Sequence, residues 1–367
     1  MRILVIDNSS LSVDKEGVYT NIFNGKFVEE LIEQGNQVSY LQFESYINNK
    51  LASCNLLKIG CKVVLMKSCQ SKILKYLASY LRLLFVIPKY DFVYLYYPTS
   101  FKYVAFLCKL FGVEYGLYIR GMYGIAHDKL SKLIYKNAKT ILTVSDAFSE
   151  TVNEIVKEKK ANTIRPMIPY SSDDIVLDRS YSDEKKEMRL LYFARVAKEK
   201  GVEELLRAFK TVSELYAIHL VLVGDGEYFE QTKGLVKELS LEEKVSLEGI
   251  CNDEAKKQKY FLDADIYILP TYHEGFPRTL YEAMIFGTPI ITTFVGGIPA
   301  LMKDQYNCRE IKPRSIESII EVLEYAINDY GEMIKLAKNG FNTVSKIISA
   351  NRPSHARTLN NIIKNVK

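Results

Sequence analysis

Two carboxylates, Glu274 and Glu282, frame the segment best equipped for chemistry in this 367-residue chain, His273-Glu274-Gly275-Phe276-Pro277-Arg278-Thr279-Leu280-Tyr281-Glu282. The segment follows an apolar run, Ile266–Leu269, and then opens a helical pattern. A helix start offers unpaired N–H groups and a positive dipole end, which suit a phosphate. Glu274 falls in the loop and Glu282 a turn or two into the helix, so one acid can meet a sugar hydroxyl and the other a second sugar farther along a ligand. Taken alone, the two acids are better read as a capping loop and a solvated helix glutamate. A second loop, Phe193 to Val202, again lies between a strand and a helix and carries Arg195 and Lys200. Two cations at a strand end can neutralise a diphosphate. Gly224-Asp225-Gly226 lets backbone approach a ligand, although Phe229 stands where a dinucleotide-binding G-x-G-x-x-G frame needs its third glycine. Phe294 to Pro299 holds a further glycine-rich turn with Gly296 and Gly297.

These loops need a scaffold, and the apolar pattern supplies two. In the first half, strands are expected at Ile3–Ile6, Val38–Phe43, Phe92–Tyr96, Leu117–Ile119 and Ile141–Val144. A helix is expected over Val18–Ile32, stopped by Gly35. The second half expects strands at Arg189–Phe193, Leu220–Val223, Val245–Leu247, Ile266–Leu269 and Pro289–Thr292, with helices at Glu203–Glu214 and Ile316–Tyr330. Buried parallel strands alternating with helices indicate α/β architecture, twice over. The polar stretch Tyr170–Lys186 reads as the linker between two Rossmann-like domains facing a cleft. The division expected is 1–179, 180–347 and a C-terminal helix, 348–367, that returns to the first domain.

Hydrophobic residues at 48% and charged residues at 25% indicate a folded chain and exclude disorder, collagen and coiled coil. The uncharged stretch Ala283–Met302 has the length of a membrane span, but Gly287, Pro289, Gly296, Gly297 and Pro299 break it into helix, turn, strand and loop. The start, Met1–Asp7, resembles a strand and not a secretory signal. Six cysteines without a C-x-x-C pair read as reduced core thiols, and four scattered histidines spell no metal cage. Asp263-Ala264-Asp265 spells D-x-D but precedes its strand, so it reads as a helix-end turn.

The formal net charge of +5 is unevenly spread. Between Lys58 and Lys109, nine basic residues face one acid, Asp91, and alternate with tyrosines and aliphatics. Such a stretch fits an anionic lipid surface or, equally, a solvated face over an ordinary core. No nucleic-acid reader motif accompanies it.

The four second-half loops, in this order, resemble those of the retaining GT-B glycosyltransferases of family 4. The family's E-x7-E element resembles Glu274 to Glu282, and its G-R-x-x-x-x-K-G element resembles Ala194 to Gly201, with alanine at the first glycine. Its G-x-G and G-G-x-P loops resemble Gly224 to Gly226 and Gly296 to Pro299. The resemblance covers residues 188–330 and implies a nucleotide-sugar donor, a saccharide acceptor, a cytoplasmic enzyme and no metal cofactor. It assigns the donor diphosphate to Arg195 and Lys200 and the sugar hydroxyls to Glu274. Gly275, Phe276, Pro277, Arg278 and Thr279 would support sugar and phosphate, Glu282 would bind the ribose, and Ile250 would border the base. Gly224 and, in the first domain, Gly17 would approach the phosphates. The family's usual histidine after Tyr118-Ile119 is Arg120 here, with His127 seven residues on; both are acceptor-side candidates, although Arg120 equally reads as a residue that simply closes the strand end. Ala300 stands where the family often has glutamate. With a membrane-facing basic segment, the acceptor implied is a polyprenyl-diphosphate-linked sugar of surface polysaccharide assembly at the inner leaflet. The competing class is a non-catalytic GT-B module that binds a nucleotide sugar or lipid surface; a GT-B epimerase would lack E-x7-E, and a phosphorylase would need a longer chain.

Overall fold

Continuous runs of aliphatic and aromatic residues become parallel strands, and the polar segments between them become the loops and helix caps. The computed structural model describes residues 1–7, 11–45, 52–67, 71–120, 128–164, 168, 170, 172–181, 187–275, 277–349 and 353–364. The chain divides into two units, Met1–Met167 with Arg352–Lys367, and Ile168–Asn351.

The first unit contains β1 (Arg2–Ile6), β2 (Leu11–Val13), β3 (Val18–Thr20), α1 (Ile22–Glu33), β4 (Gln37–Ser45), β5 (Cys54–Asn55), β6 (Lys62–Met66) and α2 (Lys72–Val86). It continues with β7 (Phe92–Tyr97), α3 (Val104–Phe111), β8 (Glu114–Ile119), α4 (Lys129–Asn137), β9 (Thr140–Thr143), α5 (Asp146–Val156) and β10 (Ala161–Thr163). Its main strands run parallel in the order β6-β4-β1-β7-β8-β9-β10, and β2, β3 and β5 extend beside β4. The helix expected from Val18 starts later, at Ile22. Asn21 caps it by accepting from the Asn24 N–H at 3.0 Å, while Val18–Thr20 pairs antiparallel with Leu11–Val13.

The second unit contains β11 (Met188–Phe193), α6 (Val202–Leu215), β12 (Ile218–Val223), α7 (Phe229–Glu238), β13 (Val245–Gly249), α8 (Glu254–Asp263) and β14 (Ile266–Leu269). Then come α9 (Thr279–Ile285), β15 (Ile290–Thr293), β16 (Arg309–Ile311), α10 (Ile316–Asn328) and α11 (Tyr330–Ser349). All six strands are parallel, in the order β13-β12-β11-β14-β15-β16. This is the doubly wound arrangement in which the first strand of the unit lies beside its second on one side and its fourth on the other.

Two expected boundaries move. Residues 168–179 belong to the second unit and not the first, because Ile168 packs in its core and the Val176 N–H bonds the Ile285 carbonyl. Arg179 reinforces this, donating to the carbonyls of Phe261 (2.9 Å) and Phe286 (2.8 Å). The last helix, α12 (His355–Lys364), begins later than 348 and packs on α1, with Asn36 donating to Asn360 at 2.9 Å. No helix among the described residues is long and apolar enough to cross a membrane.

Candidate active site

In the second unit β11 has β12 on one side and β14 on the other, and the carboxyl ends of strands at such a switch point are where open α/β sheets bind ligands. The loops after β11 and β14 carry the expected cations and the first acid. Lys200 ends a short 3-10 turn, Lys198–Lys200, and Gly201 follows it at φ 69°. A Cβ on Gly201 would lie 2.1 Å from the Pro270 carbonyl oxygen, so glycine lets the two loops touch. There the Lys200 ammonium pairs with the Glu274 carboxylate and donates to the His273 carbonyl at 3.2 Å. The two side chains are only 12% and 13% exposed.

Arg195 is not in that pair. Its guanidinium meets Glu199 and, at 3.3 Å, Glu227, and the side chain is 49% exposed. Gly224, at φ 146°, closes the same edge: its N–H bonds the Gly249 carbonyl at 2.8 Å, and a Cβ would sit 1.9 Å from the Ala194 carbonyl oxygen. Ile250, partly buried, follows Gly249.

The Glu274 loop is braced on every side. The Tyr272 N–H bonds the Glu199 carbonyl at 2.9 Å, and Thr293 donates to the Thr271 carbonyl. The Gly297 N–H bonds the Gly275 carbonyl at 2.9 Å, so the glycine-rich turn after β15 supports the acid-bearing loop. Pro277 is buried, Arg278 is exposed, and the Thr279 hydroxyl accepts from Tyr267 at 2.7 Å. Helix α9 spans only seven residues with Glu282 in its first turn, so its dipole is shorter than the phosphate expectation assumed and already faces a carboxylate.

Glu282 is buried, not solvated as a surface helix acid would be. It accepts from Lys257 at 3.0 Å, and Lys257 also pairs with Glu254 at 2.8 Å. Burial pushes the Glu282 carboxyl above its ordinary range even against the pull of Lys257. Burial would lower Lys257, but attraction to Glu282 and Glu254 outweighs it and raises the ammonium instead. Tyr170 completes the group, its ring 5.6 Å from the Lys257 ammonium and its hydroxyl donating to Glu254 at 3.1 Å. Sequence reasoning missed Lys257 and Tyr170. The only signal was the Glu254 to Lys257 spacing of one helical turn, which ordinarily marks an exposed pair.

Of the first-unit candidates, Gly17 lies in the turn between β2 and β3, and its N–H bonds Asp14 at 2.9 Å. A Cβ there would meet the Asn55 amide at 2.2 Å. Arg120 follows β8, with its guanidinium 4.0 Å from Asp7 and 5.2 Å from the Tyr96 ring centre. Asp7 is fully buried and accepts from Asn24 and Tyr40, each at 2.8 Å. His127 and Phe276 lie outside the described residues. Among the described residues no cluster of three or more His, Cys, Asp or Glu could hold a metal. The D-x-D acid Asp265 is buried and accepts the Arg189 N–H at 2.8 Å, which ties the start of β11 to that of β14.

A family model described as glycosyl transferases group 1 matches residues 176–343, the part of the chain that carries the Lys200 and Glu274 loops. The residues matched include all four loops whose motifs resemble that group, those after β11, β12, β14 and β15. An uncharacterized glycosyltransferase of Methanocaldococcus jannaschii is 29% identical over 201 residues, covering 52% of this chain and 51% of the relative. The lipopolysaccharide core biosynthesis glycosyltransferase LpsE of Rhizobium meliloti is 21% identical over 211 residues, covering 57% and 60%. The chain spans about half the length of curated relatives that it matches. Beyond the matched residues, the whole chain is similar in structure to HepE of Anabaena, solved in complex with UDP, with a TM-score of 0.70 at 15% identity and 100% of both chains covered. Two Rossmann-like units in one chain make this the GT-B fold.

Proposed function

We propose that the protein is a retaining, family-4-like glycosyltransferase that moves a hexosyl group from a nucleotide-sugar donor to a saccharide acceptor. The observation that carries this reading is the contact of Lys200 with Glu274 where the β11 and β14 loops meet. A donor laid over these loops presents its diphosphate to Lys200 and Arg195 and its sugar hydroxyls to Glu274. The Gly275 to Thr279 backbone flanks sugar and phosphate, Glu282 receives the ribose, Gly224 approaches the phosphates, and Ile250 borders the base. The sugar C1–oxygen bond to the diphosphate breaks as C1 bonds the acceptor oxygen on the same face, and the acceptor proton passes to the departing diphosphate. The protein contributes position and fixed positive charge, supplied by Arg195 and Lys200 in place of a divalent metal.

On the acceptor side, Arg120 faces the saccharide. The basic segment Lys58–Lys109 supports an anionic membrane surface as partner, hence peripheral attachment at the cytoplasmic leaflet and a polyprenyl-diphosphate-linked acceptor. The name of LpsE supports a place in surface polysaccharide assembly. Melting temperatures measured with UDP-, GDP- and ADP-sugars, with and without EDTA, test the donor site. Binding to the folded state at about 100 Kd adds about 2.7 kcal/mol. One nucleotide series should stabilise the protein equally in EDTA and lose its effect in Arg195→Ala; no response to any series refutes the reading.

A further inference from the structure

Helix α2 has an apolar face that nothing among the described residues covers. Ile73, Leu77, Leu81 and Phe85 recur every fourth residue and so line one side of the helix, with Leu74 beside them. Ile73 is 80% exposed and Phe85 74%, and the other three are more than half exposed. The opposite side is where α2 meets its unit: Ser79 and Leu83 are buried, and Tyr76 packs on Phe43 and Phe101. A soluble surface rarely leaves five large apolar side chains in one contiguous row.

The charge around this face selects its occupant. No acid lies on α2, and the one acid between Lys58 and Lys109, Asp91, is taken up by Arg2 at 2.6 Å. Lys89 and Lys109 are exposed on the flanking turns and helix. We infer that the α2 face is a docking surface that inserts its apolar row into the interface of an anionic bilayer, with the surrounding cations over the headgroups. The inference deepens the membrane reading above and rests on it. It also shifts the weight of binding from charge to apolar contact. Lys75 lies 3.7 Å from the Phe43 ring centre and Arg82 donates to the Leu65 carbonyl at 2.7 Å, so both cations also serve the fold.

The test is flotation with phosphatidylcholine vesicles, with and without phosphatidylglycerol. Wild type should float only with the anionic vesicles. Leu77→Ser/Leu81→Ser/Phe85→Ser, which removes no charge and only side chains more than half exposed, should weaken flotation at least about tenfold while cooperative melting is retained. The chain has no tryptophan, so Phe85→Trp gives a single reporter whose emission should shift to the blue on anionic vesicles. Unchanged flotation of the triple variant, or no emission shift, overturns the inference. So does a wild-type dimer that the triple variant dissociates, which would make the face a protein interface. Nucleotide-sugar stabilisation measured on the same samples separates the two readings: retained stabilisation without flotation sinks docking alone, and flotation without stabilisation sinks the donor site alone.

Discussion

Gly296 lies against the backbone of Glu274 so closely that a Cβ on it would come within 1.8 Å of the Glu274 carbonyl oxygen. With its φ of 61°, this makes the turn after β15 a seat for the acid-bearing loop. Gly296→Ala is therefore expected to cost more than about 1 kcal/mol and to lower turnover at least about tenfold by displacing Glu274. Gly234→Ala is the control, since Gly234 lies in α7 with open space at its Cβ, and it should be neutral or stabilising. Urea unfolding and turnover of the two variants check both expectations.

Lys257 is the cation that makes a buried Glu282 tolerable. Lys257→Met should destabilise the protein by about 3–5 kcal/mol, because it leaves an uncompensated buried carboxylate. Lys257→Met/Glu282→Gln should recover part of that loss. If the single variant melts like wild type, Glu282 does not depend on Lys257. The coupling between the two is read from the double-mutant cycle in urea.

His355 gives the first unit an acid-sensitive anchor. It is buried at the start of α12, within 2.7 Å of the Tyr94 hydroxyl and stacked on Phe27. Burial, with a smaller contribution from Arg120, lowers its pKa to about 3. The folded state therefore holds the imidazole neutral, while the unfolded chain protonates it below about pH 6.5. The unfolded state then binds more protons, so stability falls with decreasing pH by about 1.4 kcal/mol per unit across the window from about 6.5 to about 3. His355→Phe should flatten that slope in pH-dependent urea midpoints; an unchanged slope would assign the acid sensitivity to other groups.

The central strands were legible because burial on both faces forces continuous apolar runs. Ile266–Leu269 was expected and observed with identical bounds. Among the strands that escaped notice, Ala161–Thr163 and Arg309–Ile311 lie at sheet edges and are only three residues long, as are Leu11–Val13 and Val18–Thr20, too short to show a run. Lys62–Met66, by contrast, does carry an apolar run, Val63–Met66, that went unread. Loop chemistry was legible as residue types in order: Lys200 and Glu274 were candidates before their contact was known. Their supports were not, because Gly296 against Glu274 and Lys257 beneath Glu282 are long-range contacts without a local pattern. The same limit shifted the domain boundary, since the polar look of Tyr170–Lys186 hides Arg179, whose guanidinium is engaged by buried carbonyls.

Glu274 carries the central claim, and release of nucleoside diphosphate from the stabilising nucleotide sugar, followed in EDTA, tests it most directly. Wild type should release it, and Glu274→Ala should do so at least about 100-fold more slowly, with its secondary structure and cooperative melting retained. Near-normal release from a folded Glu274→Ala would remove Glu274 from the reacting site and contradict the account.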